Sequence, residues 1–155
     1  MTTPFEEKME KISATPADAH DKITKAYRRF NSAKKLFSIS EQEDYDSIYT
    51  QLYDAIRISL DAFLTLKGWR VKTTANHHKI LLEQVCYLLG EENVDIRNEI
   101  DNAKKMSKRR NRLDYGGKDE ISKNDIEAAF SDAQKILRTI EIIIEKEEKQ
   151  QKLIN

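Results

Sequence analysis

The chain has 155 residues, enough for one hydrophobic core without disulfide or metal staples, and its 4 Gly and 2 Pro against 35% charged residues are the composition of an all-α protein. Lys plus Arg and Asp plus Glu balance at 27 each, so the protein as a whole is no generic polyanion binder, and any affinity for nucleic acid must come from local clustering. No apolar stretch is long enough to span a bilayer, and the start Met1-Thr2-Thr3-Pro4-Phe5-Glu6-Glu7 lacks the shape of a signal peptide, so no membrane association and a cytoplasmic location are expected.

The first dozen residues read as a short helix. Thr15-Pro16-Ala17-Asp18 then places Thr at an N-cap, Pro at the first helical position and Asp at the third, which satisfies loose backbone N–H groups and complements the helix dipole. Ile23, Tyr27, Phe30, Ala33 and Phe37 follow at helical spacing, so the first main helix is placed at 14–38. Ser40-Glu41-Gln42-Glu43 has the form of a capping box for a second helix at 41–67, whose stripe runs from Tyr45 through Ile48, Leu52, Ile56 and Leu60 to Phe63. Gly68 after Lys67 ends it.

The apolar positions of this second helix extend to Tyr53, Ala55 and Leu64, beyond one narrow stripe. It is the expected central helix, and its surplus face must be covered either by the other helices or by a second copy of the chain, of which a homodimer is the favoured expectation. Trp69, in the connection that follows, is read as a plug closing the end of the bundle.

A third helix is expected at 75–89, with Ile80, Leu81, Val85, Leu88 and Leu89 inward. It opens with His77-His78; adjacent histidines on a helix point about 100° apart and no second His or thiolate stands at ligand spacing, so polar residues of a first turn are the default reading. One of them could still face a site formed by the fourth helix. Cys86 lies in the same apolar segment and reads as a small core residue; being alone, it excludes an intramolecular disulfide.

The fourth helix is placed at 93–114, stopped by Gly116-Gly117, and the fifth at 123–148. Ser122-Lys123-Asn124-Asp125 caps the fifth, with Ile121 and Ile126 as a hydrophobic staple. No strand pattern, internal repeat, low-complexity segment or linker is visible, so residues 1–155 read as a single helical domain, an up-and-down bundle of four to five helices with a long central second helix. There is no glycine-rich phosphate loop, cysteine cluster, His-Glu-x-x-His or Gly-x-Ser-x-Gly motif, and no cofactor or metal is expected.

The chemistry is concentrated in Lys104-Lys105-Met106-Ser107-Lys108-Arg109-Arg110-Asn111-Arg112-Leu113-Asp114-Tyr115, the densest basic run of the chain. Ile96, Ile100 and Ala103 define the inward stripe of the fourth helix, and its continuation lands on Ser107, Arg110 and Asp114. Arg109 and Arg112 are expected on the opposite, solvated face. Arg110 shares its face with apolar residues and must find an anion or a partner. One candidate is a bracing ion pair with Asp54 or Asp61 of the second helix.

A bundle with a long second helix ending in Gly-Trp-Arg, a third opening in Asn-His-His-Lys and a fourth ending in Arg110-Asn111-Arg112-Leu113-Asp114-Tyr115 resembles the HEPN superfamily over nearly the whole chain. The family signature is an Arg, often followed by Asn, with a His four to six residues later. This sequence has the Arg and the Asn, and puts Tyr115 where the His is expected. The resemblance implies a homodimer with a composite site, and either a metal-independent endoribonuclease, often a toxin encoded beside a nucleotidyltransferase-like antitoxin, or a catalytically degenerate module that binds a nucleotide or a partner protein. On the first option Arg110, Asn111 and Tyr115 are the catalytic candidates and Lys108, Arg109 and Arg112 the RNA- and phosphate-binding ones. Tyr115, with an ordinary pKa of about 10 against about 6.5 for His, is a poor base near neutral pH unless flanking cations lower it.

Overall fold

The computed structural model describes residues 7–72, 77–92, 94–114 and 120–154, with the backbone alone for Leu113 and Asp114. Among the described residues five α-helices carry the fold: α1 (Pro16–Ser38), α2 (Tyr45–Leu66), α3 (His77–Leu89), α4 (Arg97–Asp114) and α5 (Lys123–Ile154). They form an up-and-down bundle. Helix α2 is its centre, packed against α1, α3, α4 and α5. The reason lies in its composition: Leu52, Ile56, Leu60 and Phe63 on one side and Tyr53, Ala55 and Leu64 on another are all 0% exposed. The surplus apolar face is therefore covered within one protomer, and it is not an exposed surface awaiting a second copy.

Helix ends follow local chemistry. The Thr15 hydroxyl accepts from the Asp18 N–H at 3.3 Å while the Asp18 carboxylate accepts from the Thr15 N–H at 2.8 Å, a reciprocal capping box. Ser122 and Asp125 repeat the arrangement at the start of α5, at 3.1 and 2.9 Å, over the buried pair Ile121 and Ile126. Before α2 the cap shifts by one residue: Glu41 is the N-cap of a short 3-10 turn, Gln42–Asp44, and α2 proper starts only at Tyr45. Helix α4 starts at Arg97, later than its sequence suggests. Helix α5 continues to Ile154, beyond the end at 148 that the sequence suggests.

The sequence carries no strand signal, yet β1 (Met9–Lys11) and β2 (Trp69–Val71) pair antiparallel, with Met9 opposite Val71 and Lys11 opposite Trp69. Met9 and Val71 turn inward and are buried, whereas Glu10 and Arg70 form an ion pair outside. The expectation of a helix at the N-terminus fails over these residues because three-residue strands are too short to show a period. Trp69 packs half-buried at the edge of the core, with the Lys11 ammonium 5.9 Å from its ring.

Gly68 joins α2 to β2 with φ of +80°. A Cβ there would meet only the Ile12 carbonyl oxygen at an ordinary 3.5 Å, so the cost of a side chain is conformational. Gly68→Ala is expected to destabilise the fold by about 1–2 kcal/mol, the left-handed penalty, measured by urea denaturation. An unchanged midpoint would show that the turn relaxes.

Candidate functional site

Helix α4 runs antiparallel to α5, and polar contacts fall in step along the pair. Lys135 meets Glu99 at 2.5 Å, Asn102 donates to Asp132 at 3.2 Å, and Arg109 meets Asp125 at 3.3 Å. This ladder sets the rotation of α4. Arg109 also donates to the Glu120 carbonyl oxygen at 3.0 Å and lies with its guanidinium carbon 5.6 Å from the Tyr49 ring. Its side chain is only 21% exposed. The sequence reading that put Arg109 on the solvated face is therefore corrected: it holds the end of α4 to the start of α5. The Asp125 carboxyl is held below its ordinary pKa first by the backbone N–H of Ser122 and then by Arg109.

The next residue turns to the other side of the same helix end. Arg110 places its guanidinium carbon 5.4 Å from the ring of Tyr53, which is 0% exposed. Arg109 and Arg110 thus stack on Tyr49 and Tyr53, one turn apart on α2. The Arg110 Nε is buried and has no hydrogen-bond partner, and among the described residues no carboxylate lies within ion-pairing distance of it. Neither expected brace forms: Asp61 is engaged by Lys22 at 2.7 Å, and Asp54 lies 3.8 Å from Arg57.

Arg57 and His78 complete the surroundings. Arg57, one turn beyond Tyr53 on α2, has its own buried Nε without a partner. The His78 ring lies 6.0 Å from the Tyr53 ring, so of the two histidines it is the one that reaches the Arg110 site across the bundle. Burial pushes the His78 pKa down, and Arg57, Arg110 and His77 push in the same direction against a weaker opposing pull from Asp54. His78 is therefore neutral at physiological pH. Burial raises the Tyr53 pKa, which keeps its hydroxyl protonated.

That hydroxyl is buried, and Ser107 approaches it without completing a hydrogen bond of proper geometry. An unsatisfied buried hydroxyl costs more than the methine edge that would replace it. Tyr53→Phe is thus expected to raise stability by about 1 kcal/mol, seen as a melting temperature about 2–4 °C higher. A loss of stability would reveal a partner for the hydroxyl.

The other sequence candidates are less enclosed. Lys108, Asn111 and Arg112 are exposed on the protomer. Tyr115 lies outside the described residues, as does the side chain of Asp114. Arg57 and Tyr53 escaped the sequence reading, although a signal exists: the one cation of the predominantly apolar helix α2, inside Tyr53-Asp54-Ala55-Ile56-Arg57-Ile58, is as anomalous as Arg110 on α4. Among the described residues there is no group of three or more His, Cys, Asp or Glu able to hold a metal ion.

The model of the HEPN domain family matches residues 19–143. The chain belongs to the HEPN family. HEPN domains commonly dimerise, and the matched span holds α2, α3 and α4, hence every described residue of the site above. No curated protein and no solved structure matches the chain. No helix among the described residues is long and apolar enough to cross a membrane.

Proposed function

We propose that this HEPN protein, acting as one domain over residues 1–155, is a metal-independent endoribonuclease, a cytoplasmic toxin of a toxin–antitoxin or defence system. The observation that carries the reading is Arg110: a half-buried guanidinium, stacked on Tyr53, with a buried N–H that no described residue accepts. A planar fork with unmet donors suits the non-bridging oxygens of a phosphodiester.

Cleavage of RNA by its own 2′-hydroxyl needs a base for that hydroxyl, an acid for the departing 5′-oxygen and cations for the charged phosphorane. Arg110 takes the cationic role, contributed by both protomers of a homodimer to a composite site. Asn111, beside it at the helix end, steadies the phosphate, and Lys108 and Arg112, exposed on the same stretch, draw the RNA in. Arg109 contributes by fixing the corner from which Arg110 projects. Tyr115 stands at the family's His position and serves as an acid or orients the phosphate, which makes the enzyme slow. Such a toxin would be held in check by a protein partner, of which a nucleotidyltransferase-like antitoxin is the type the family suggests.

The test is incubation of the purified protein with a mixed RNA pool in EDTA, after light scattering has fixed its mass. Cleavage by a dimer is the expected result. A folded dimer that leaves the RNA intact would replace this reading with the second one, a degenerate HEPN module that binds a nucleotide or a partner protein, which the Tyr115 substitution itself favours.

A further inference from the structure

Three buried polar atoms without partners meet between α2, α3 and α4: the Nε of Arg57, the Nε of Arg110 and the hydroxyl of Tyr53. Each buried donor left unmet costs about 1–3 kcal/mol, so three in one place is not an arrangement that packing alone selects. The charges are unbalanced too. Among the described residues, Asp54, 3.8 Å from Arg57, is the carboxylate that acts on both Tyr53 and His78, and Arg57 and Arg110 act on the same two groups. Holding a second, part-buried cation without a counter-charge is costly, and among the described residues the cluster is short of one negative charge and of acceptors for its two buried N–H groups.

A tetrahedral oxyanion supplies both. We propose that Arg57, His78 and Arg110 form a phosphate-binding pocket within a single protomer, walled by the Tyr53 ring, and that His78 takes up a proton when the phosphate enters. Two of the three groups come from helices that the family's motif does not touch. The pocket needs no second copy of the chain, although in a dimer each protomer would present its own. That the phosphate belongs to RNA rests on the function proposed above; the pocket itself does not.

The proton follows from electrostatics. Among the described residues, His78 faces Arg57, Asp54 and Tyr53 from α2, Arg110 from α4 and its neighbour His77. Empty, the pocket is net cationic and disfavours a charged imidazole. An anion beside the ring, singly charged in a phosphodiester and doubly charged in sulfate, reverses that, and an opposite charge within about 4–6 Å raises a histidine pKa by about 1–3 units. By linkage the anion then binds more tightly as pH falls through the bound-state pKa of His78.

The experiment is an NMR titration of the imidazole signals in the 155-residue chain, which has 3 histidines, His78 being assigned by its loss in His78→Gln. The pH series is recorded in sodium chloride, and again at equal ionic strength in sodium sulfate and in inorganic phosphate. Sulfate keeps its two charges over the range, which separates titration of His78 from titration of the ligand. The expected result is a His78 pKa about one unit or more higher in sulfate and phosphate than in chloride. The shift should disappear in Arg57→Gln and, independently, in Arg110→Gln, each checked for native circular dichroism. A His78 pKa that is the same in all three salts overturns the pocket even if the protein cleaves RNA. A shift that survives in the folded arginine variants overturns it as well. Inactivity toward RNA together with the expected shift removes the endoribonuclease reading and leaves the pocket standing.

Discussion

Replacing Arg110 by alanine is expected to abolish EDTA-resistant RNA cleavage while leaving the melting temperature within a few degrees of wild type. Two magnitudes decide this. If Arg110 braced the bundle through a buried ion pair, its removal would strand a carboxylate and cost about 3–5 kcal/mol. Among the described residues there is no such carboxylate, and what Arg110 gives the fold is its stem and a guanidinium contact with Tyr53 worth about 0.5–2 kcal/mol. Against that loss stands the removal of a buried N–H that has no acceptor. The net change is about 1 kcal/mol or less, a shift of roughly 2–4 °C in a domain of this size.

The effect on chemistry runs the other way. Donors aimed at developing charge in a water-poor site are worth about 10²–10³ in rate for each one removed. The variant should therefore lose at least about 100-fold in cleavage of the RNA pool, and its expression should no longer slow growth of the host. Arg110→Lys is the informative companion. It keeps the charge but not the planar fork, and should recover only a small part of the activity. A variant that melts more than about 10 °C early and retains cleavage in proportion to its folded fraction would return Arg110 to a structural role.

What was legible in the sequence and what was not have a common physical root. Signals confined to one turn read correctly or to within one residue, as before α2: the Thr15-Asp18 and Ser122-Asp125 boxes and the glycine at position 68 act through atoms three or four residues apart. Signals that depend on how a helix is rotated against its neighbours read less well. The stripe Ile96, Ile100, Ala103 continues in the folded protein to Met106, which is buried, as well as to Ser107, which is half-buried. One step of ambiguity in a 3.6-residue period is enough to move Arg109 from the solvated face to the α5 corner. The ladder from Glu99 to Arg109 along α5 settles the rotation, and it joins residues far apart in sequence. Arg57 and His78 belong to the site for the same reason. Each carries a signal on its own helix, but only the packing of α2, α3 and α4 shows that both signals point to the place where Tyr53 and Arg110 meet.

The largest effect on the fold is expected at Phe63. Its side chain is 0% exposed in the last part of α2, where that helix packs inside the bundle and where Lys67, one turn on, lays its ammonium 5.8 Å from the ring and pairs with Glu92 and Glu147. Phe63→Ala removes the ring from a site enclosed on every side, and neighbours held by four other helices cannot collapse far into the space. The loss should be about 3–5 kcal/mol by urea denaturation, or a melting temperature lower by roughly 10–15 °C, read at one protein concentration so that any dimer equilibrium is held fixed. Ile142, 51% exposed on α5, serves as the control, and Ile142→Ala should change stability by less than about 1 kcal/mol. Because α2 also carries Tyr53 and Arg57, Phe63→Ala should loosen the site from behind, so that RNA cleavage falls at temperatures below the melting transition and recovers on cooling. A cost at Phe63 no greater than that at Ile142 would mean that α2 is not the helix around which the other four are arranged.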